Sequence, residues 1–464
     1  MLGKKNNDKS KLSINNSLRS VYESSKSNLE LPRYEMPQQS MRADIAYNLI
    51  KDELFLDGNS RLNLATFVQT YMEPEASQLM ADCFDKNMID KDEYPQTAEI
   101  ELRCVNILAK LWNAHNHEEA VGTSTIGSSE ASMLGGLALK WRWRKKMEAQ
   151  GKSTSKPNMV MGANVQICWK KFVKYWDIEP RYVPCEGDRF VLDPEIAVQL
   201  VDENTIGVVA IMGSTYDGSY EPVERLCQVL DDYQEKTGND IPVHVDGASG
   251  GFVAPFLQPD ILWDFRLPRV QSINASGHKY GLVYPGVGWV VWRDKSALPE
   301  DLVFHVSYLG GDMLDFSMNF SRPGSQVLAQ YFNFLRLGFE GYTETQKNSQ
   351  DVALYLSKQI SELGPFDLIS DGSDIPVFCW RMKEQTNYSL FDFADHLRTR
   401  GWLVPAYPMP KNRHDLIVQR IVVKKGLTRD MADILVEDMK RAIDHFATQP
   451  NNVPKTSGSH FAHL

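Results

Sequence analysis

Lys279 stands in the stretch NASGHKYG (274–281), among small residues and beside His278. A lysine on a solvated face needs no such company, whereas an amine held under a bulky ligand in a shaped pocket does. Two other stretches carry complementary chemistry. In HVDGASGG (244–251), Asp246 closes an apolar run and precedes Gly-Ala. That placement suits a turn former, a metal ligand or a partner for a cationic nitrogen. No His/Asp/Glu cluster at metal spacing lies nearby, so the metal is discounted. In GTSTIGSSEASMLGG (122–136), Gly127, Ser128 and Ser129 open a run whose Met133, Leu134, Leu137 and Trp141 share one helical face. Hydroxyls and free N–H groups at a helix start cradle a phosphate. Plain N-capping by serine is the alternative.

Taken together, a lysine, an aspartate and a phosphate cradle are the parts that hold pyridoxal 5'-phosphate. Lys279 is then the covalent anchor for the aldehyde, and Asp246 keeps the pyridine nitrogen protonated. Ser276 and His278 are within reach of phosphate oxygens, and Gly277 and Ala275 are expected to let the ring approach the backbone. The anchor works only if its amine is neutral, a state favoured by desolvation and a nearby cation.

These residues need a scaffold that brings them together. TIGVVAIMGST (205–215), IPVHVDGAS (241–249), VQSINASGHK (270–279) and PGVGWVVWR (285–293) are short apolar runs ending in small or polar residues. Between the first two lies PVERLCQVLDDYQEKTG, apolar at helical spacing and closed by glycine. Strands alternating with helices predict an α/β fold with a mainly parallel sheet covered on both faces. Ligands of such sheets sit at the carboxyl ends of the strands, where Thr215, Asp246, Ser276, His278 and Lys279 fall. Beyond residue 345, helix-like and strand-like runs alternate as in a small α+β domain. The expected organisation is an N-terminal arm over 1–60 with a helical segment, a large cofactor-binding domain over 61–345, a small C-terminal domain over 346–448 and a tail over 449–464.

Composition narrows the class. The 464 residues carry 60 Asp+Glu against 50 Lys+Arg, a net charge of −10, which argues against a nucleic-acid binder. WRWRKK (141–146) is read as a helix end with inward tryptophans. Six scattered cysteines with no CxxC pair read as reduced thiols in a cytoplasmic protein. No apolar run is long enough to span a membrane, and the start lacks the apolar core of a secretory signal. The first 30 residues, rich in Lys, Asn and Ser, read as a mobile arm. SLRSVYESS within them is weakly amphipathic, and acid-dependent association with a membrane or a partner is the other reading.

Several long stretches resemble the bacterial-type glutamate decarboxylase family, pyridoxal-phosphate enzymes of the aspartate-aminotransferase fold (fold type I). They are FLDGNSRLNLATF, NMIDKDEYPQTAEIELRCVN, GTSTIGSSEASMLGG, VHVDGASGGFVAPF, SGHKYGLVYPGVGW and NFSRPGSQV, and the likeness runs from about residue 40 onward. The resemblance implies that Ser128, Ser129, Ser276 and His278 hold the phosphate, with Ser321 contributing from a neighbouring subunit. It implies that Gln166 stacks on the ring, Ala248 packs its other face and Thr215 lies near it. Thr66, Phe67 and Asp90 would receive the distal carboxylate of L-glutamate, and Arg420 the α-carboxylate. The implied reaction releases CO2, yields 4-aminobutyrate and consumes a proton, which suits acid resistance. The same chemistry on another amino acid, and a silent scaffold that kept the fold, are the competing readings. Shared sites imply a homo-oligomer, a dimer at least, with hexamers frequent among bacterial relatives.

VFHVSYLGGD (303–312) resembles a lid, in which Tyr308 either positions a proton or packs the loop. His463 is penultimate, as in acid-induced members whose tail plugs the site at neutral pH; simple solvation is the alternative. The tail lacks the Trp- and Lys-rich helix of calmodulin-regulated relatives, so no calmodulin partner is expected. If His463 plugs the site, deleting residues 450–464 extends activity toward neutral pH, and an unchanged pH–activity profile discards the idea.

Overall fold

The strand-like runs assemble into a seven-stranded sheet. Its strands are β1 (Val121–Thr125), β2 (Asn158–Gly162), β3 (Glu179–Val183), β4 (Thr205–Ile211), β5 (Val243–Asp246), β6 (Val270–Ser276) and β7 (Gly288–Trp292), in the order β1-β7-β6-β5-β4-β2-β3. Only β7 runs against the others. This is a computed structural model, and it describes residues 34–117, 121–307 and 313–458. Every residue of β4 and β5 is buried, as expected for strands covered by helices on both faces. Trp143, Trp169 and Phe172 fill one side; Trp112, Phe252 and Trp289 belong to the core on the other. The amphipathic run after β4 forms a helix over Val223–Thr237 that stops at Gly238, whose φ of +75° suits glycine.

After β8 (Phe304–Val306) and β9 (Met313–Asp315), a second sheet follows toward the C-terminus. It comprises β10 (Phe366–Ser370), β11 (Val377–Met382), β12 (Ala406–Pro408) and β13 (Ile417–Val422), antiparallel in the order β10-β11-β13-β12. Helices Leu390–Arg398 and Arg429–Ala447 enclose its own core of Phe366, Phe378, Trp380, Phe393, Leu435 and Met439. The helical run Ser325–Ser361 serves both sheets, with Val327 and Tyr342 in the first core and Leu356 and Ile360 in the second. Residues 345 and 346 both lie inside it. The chain divides into two compact units, Met1–Asn59 and Ser60–Leu464. The described part of the first contains one helix, Ala43–Glu53, and a following single turn. Among the described residues, no helix is long and apolar enough to cross a membrane, and no His/Cys/Asp/Glu group could hold a metal.

The turn after β6 is held unusually tightly. The Gly281 carbonyl accepts from the Tyr342 hydroxyl at 3.0 Å and from Gln330 Nε2 at 3.1 Å. Gln346 Nε2 donates to the Tyr280 carbonyl at 2.7 Å, and Asn333 Nδ2 to that of Leu282 at 2.9 Å. Leu282 itself has φ of +66°, a conformation a leucine adopts only when its surroundings impose it. This corrects the expected role of two small residues. A Cβ on Gly277 would lie 2.5 Å from Gln330 Oε1, so that glycine makes room for the supporting helix rather than for a ligand. Ala275, fully buried, belongs to the apolar core and packs toward Gly251; strand alternation turns it away from the face that carries Ser276.

A Cβ on Gly281 would sit 2.6 Å from the Cα and carbonyl oxygen of Gly277. Gly281→Ala must therefore open the turn, and the expected loss is about 2–4 kcal/mol. Chemical denaturation with a linear extrapolation measures it; a loss below about 0.5 kcal/mol would contradict a tightly packed turn.

Candidate active site

At the carboxyl ends of β4, β5 and β6 the structure forms a cavity of about 390 Å³. Its lining includes Ser128, Ser129, Gln166, Thr215, Asp246, Ala248, Ser276, His278 and Lys279, residues drawn from five separate segments. The cradle is formed by Gly127, at the N-cap position, and by Ser128 and Ser129, which begin a helix reaching Ala149. No side chain caps that helix. The Ser128 hydroxyl instead meets the Ser276 hydroxyl at 2.6 Å across the cavity floor. The N-capping alternative therefore fails here, and the first-turn N–H groups stay available to an anion.

Lys279 lines the cavity, with Nζ 3.4 Å from the Ser249 hydroxyl and 5.0 Å from the centre of the Phe67 ring. Desolvation by the surrounding protein holds its amine below the usual lysine range; the Arg420 charge acts in the same direction, and Asp246 and Cys168 oppose. His278 is pushed down to about 4, by burial first and then by the neighbouring Lys279. Its Nδ1 is buried and has no hydrogen-bond partner. A buried orphan nitrogen beside a cradle of hydroxyls and helix N–H groups fits a site built for a phosphate-bearing group.

Asp246 accepts from Trp169 Nε1 at 2.8 Å on Oδ2, and from Asn274 Nδ2 at 3.0 Å and the Ala248 N–H at 3.1 Å on Oδ1. A carboxylate so supplied with donors suits a cationic ring nitrogen on its open side. Gln166 caps the helix Ile167–Tyr175, its Oε1 accepting from the Cys168 N–H at 2.6 Å, and its side chain lines the cavity wall. The donor set thus fits pyridoxal phosphate at each end.

Arg420, on β13, is buried; its terminal nitrogens donate to the carbonyls of Ala65, at 2.6 Å, and Thr215. Its Nε is buried without a partner. The Phe67 ring is close to both cations, its centre 4.8 Å from the Arg420 guanidinium. Thr66 accepts from the Val68 N–H at 3.1 Å within the same loop, and the Gln69 N–H donates to the His278 carbonyl at 2.8 Å, fastening that loop to the site. Thr66, Phe67 and Arg420 are not part of the cavity lining, although Phe67 and Arg420 contact residues that are, and Asp90 and Ser321 are not brought to the cavity of their own chain. Asp90 lies in a turn next to Asn87, and Asn87 Nδ2 donates to the Ser321 hydroxyl at 3.3 Å, so the two stand near each other elsewhere. Tyr308 and His463 lie outside the described residues.

Sequence reasoning missed Trp169, His244, Asn274 and Glu130. Glu130 is buried at the cradle, where it accepts from the N–H groups of Ile126, Met318 and Asn319. For His244 and Asn274 a signal existed. His244 and Asp246, and Ser272, Asn274 and Ser276, put polar groups at every second position of strands that are otherwise apolar.

Comparison with known proteins agrees with this geometry. Residues 32–383 match the family model described as the pyridoxal-dependent decarboxylase conserved domain. The chain is 56% identical to a glutamate decarboxylase of Aliivibrio fischeri over 433 residues, 93% of each chain, and 49% identical to one of Lactococcus lactis over 96% of this chain and 95% of that one. It superposes on the solved glutamate decarboxylase of Lactobacillus brevis with a TM-score of 0.90 at 49% identity, covering 93% of this chain and 98% of that one. A sphingosine-1-phosphate lyase of Burkholderia pseudomallei, at 20% identity and a TM-score of 0.76, shares the fold.

The depressed His278 gives a signed pH dependence. Its proton affinity is lower folded than unfolded, so the folded apoprotein loses stability as pH falls from about 6.5 toward 4. In His278→Gln that part of the loss disappears. Thermal melts of the apoprotein at pH 7, 5.5 and 4 check it; parallel losses in both proteins would refute it.

Proposed function

For a chain that belongs to the pyridoxal-dependent decarboxylase family, we propose the α-decarboxylation of L-glutamate to 4-aminobutyrate and CO2. The observation that carries this reading is the cavity in which Lys279, Asp246 and the Ser128–Ser129 helix start converge, in a chain about half identical to glutamate decarboxylases along nearly its whole length. When bound, pyridoxal phosphate supplies a conjugated ring that accepts the electrons left as the α-carboxylate departs.

The chain's own groups do the rest. Lys279 Nζ, its amine held below the usual lysine range by desolvation, is the covalent anchor. Asp246, whose Oδ2 accepts only from Trp169, would hold a proton on the ring nitrogen. Ser128, Ser129, Ser276 and His278 would hold the phosphate, and Gln166 and Ala248 would pack against the ring. Arg420, whose Nε has no partner, receives the α-carboxylate and orients the bond to be broken, with the Phe67 ring packed near it and Lys279. Thr66 and Asp90 receive the distal carboxylate.

Asp90 and Ser321 stand near each other and away from the cavity of their own chain, which supports a site completed by a second copy and hence a homo-oligomer. The six cysteines are free, five of them buried, which supports a reducing cytoplasmic setting. The reaction consumes one proton per turnover, which supports a role in acid resistance.

Release of CO2 and 4-aminobutyrate from L-glutamate, with added pyridoxal phosphate at acid and neutral pH, is the direct test. Lys279→Ala is expected to abolish it. Arg420→Gln is expected to raise KM by about tenfold or more, the cost of losing a charge-assisted hydrogen bond. Absence of release from glutamate, or equal turnover of aromatic amino acids, would overturn the reading. Mixing Lys279→Ala with Ser321→Ala subunits is expected to restore activity in the mixed oligomer beyond either variant alone; no gain would refute the shared site.

A further inference from the structure

Behind Asp246, on the side away from the cavity, β5 and β6 bury a row of polar side chains. Their register places His244 opposite Ser272 and Asp246 opposite Asn274. All lie deep in the protein: His244 and Asn274 have no exposed surface and Ser272 has 1%. His244 Nδ1 is 2.7 Å from the Ser272 hydroxyl, and its Nε2 is 2.7 Å from Asn274 Oδ1. Asn274 Nδ2 reaches Asp246 Oδ1 at 3.0 Å and the Ser128 hydroxyl at 3.4 Å.

The direction of every bond follows from the carboxylate. A carboxylate only accepts, so Asn274 must turn its NH2 toward Asp246 and its oxygen toward His244. Nε2 of His244 must then carry a proton. A neutral imidazole has one N–H, so Nδ1 accepts, and the Ser272 hydroxyl donates to it. The ring has no alternative seat: a Cβ on Gly135 would lie 2.4 Å from its Cε1, and the Trp169 ring packs edge-on with centroids 5.1 Å apart. Burial, the largest influence on His244, favours the same neutral form.

We propose that Ser272, His244 and Asn274 form a directional hydrogen-bond chain that aims the Asp246 carboxylate at the ring nitrogen of pyridoxal phosphate and ties that end of the site to the phosphate cradle at Ser128. It rests on the reading that this cofactor occupies the cavity. His244 and Asn274 are positioning residues: neither lines the cavity. Oδ1 of Asp246 is filled by Asn274 and the Ala248 N–H, while Oδ2 has only Trp169, so the chain decides which oxygen remains free for the ligand. Asn274 Nδ2 serves both ends, so a disturbance at His244 reaches the ring and the phosphate together.

The test is a titration of the apoprotein with pyridoxal phosphate, followed by chromophore absorbance, with apoprotein melts in parallel. Asn274→Asp keeps the shape but turns an acceptor toward Asp246. It is expected to raise the Kd for the cofactor by about tenfold or more and to shift the chromophore's absorption band or its pH titration. His244→Phe is expected to act in the same direction more weakly, and His244→Gln, which can still donate to Asn274, to recover part of the affinity. Asn274→Ala is also expected to weaken binding, and when it is combined with His244→Phe the two effects are expected to be less than additive. Variants that melt like the parent yet bind within about twofold, with an unshifted band, would overturn the proposal, as would full additivity. Should His244→Phe not fold, the Asn274 variants decide between the same two outcomes. A parent protein that forms no Lys279-dependent chromophore would overturn the cofactor reading, and this proposal with it.

Discussion

The parallel register of β5 against β6 is the constraint from which the rest of the site follows. It sets Asp246 beside Asn274 at the carboxyl edge of the sheet and delivers Lys279 one turn beyond the end of β6. Parallel strands pair only through long crossovers, so their register is held by packing on both faces rather than by a hairpin. A slip of one residue would reverse every side chain and move Asp246 to the far face. The buried row behind Asp246 penalises such a slip, because each displaced polar group would lose its partner in a dry interior.

Precision at Lys279 comes from the turn rather than the strand. Four side chains of the Ser325–Ser361 helical run bond to carbonyls of Tyr280, Gly281 and Leu282, and Leu282 is held in a left-handed conformation. The Tyr280 hydroxyl lies within bonding distance of the carbonyls of Pro376 and Val423, beside strands of the second sheet. The same sheet sends Arg420 to the carbonyls of Ala65 and Thr215. The lysine proposed as anchor and the arginine proposed to meet the substrate are therefore locked to one framework, which suits a reaction that depends on the orientation of a single bond.

Buried acids complete that framework. Glu221 accepts from Asn164 Nδ2 and the N–H groups of Leu192 and Ile211, joining three segments near the cavity; burial raises its carboxyl to about 7. Glu130 does the same between the cradle and residues 318–319. The edge of the sheet is thus organised by carboxylates that accept backbone N–H groups, leaving Lys279, His278 and the serine hydroxyls to face the cavity.

Much of this was legible in the chain alone. Apolar runs ending in Asp246 and in NASGHK announced parallel strands with chemistry at their ends, and GSSEAS announced a helix start, because burial and capping act over a few residues. Long motifs also pointed to the family. Three things needed the tertiary structure. Gly277 and Ala275 were read as space for a ring, but the first is set by a helix that begins about fifty residues later and the second by the opposite face of the strand. Trp169, His244 and Asn274 meet around Asp246 only because two strands and a helix far apart in sequence share one register. Asp90 and Ser321 look like site residues in their motifs, yet one chain's fold keeps them off its own cavity. Local patterning states which groups a segment can offer, but which groups face one another is decided by long-range packing, whose partners no short window of sequence contains.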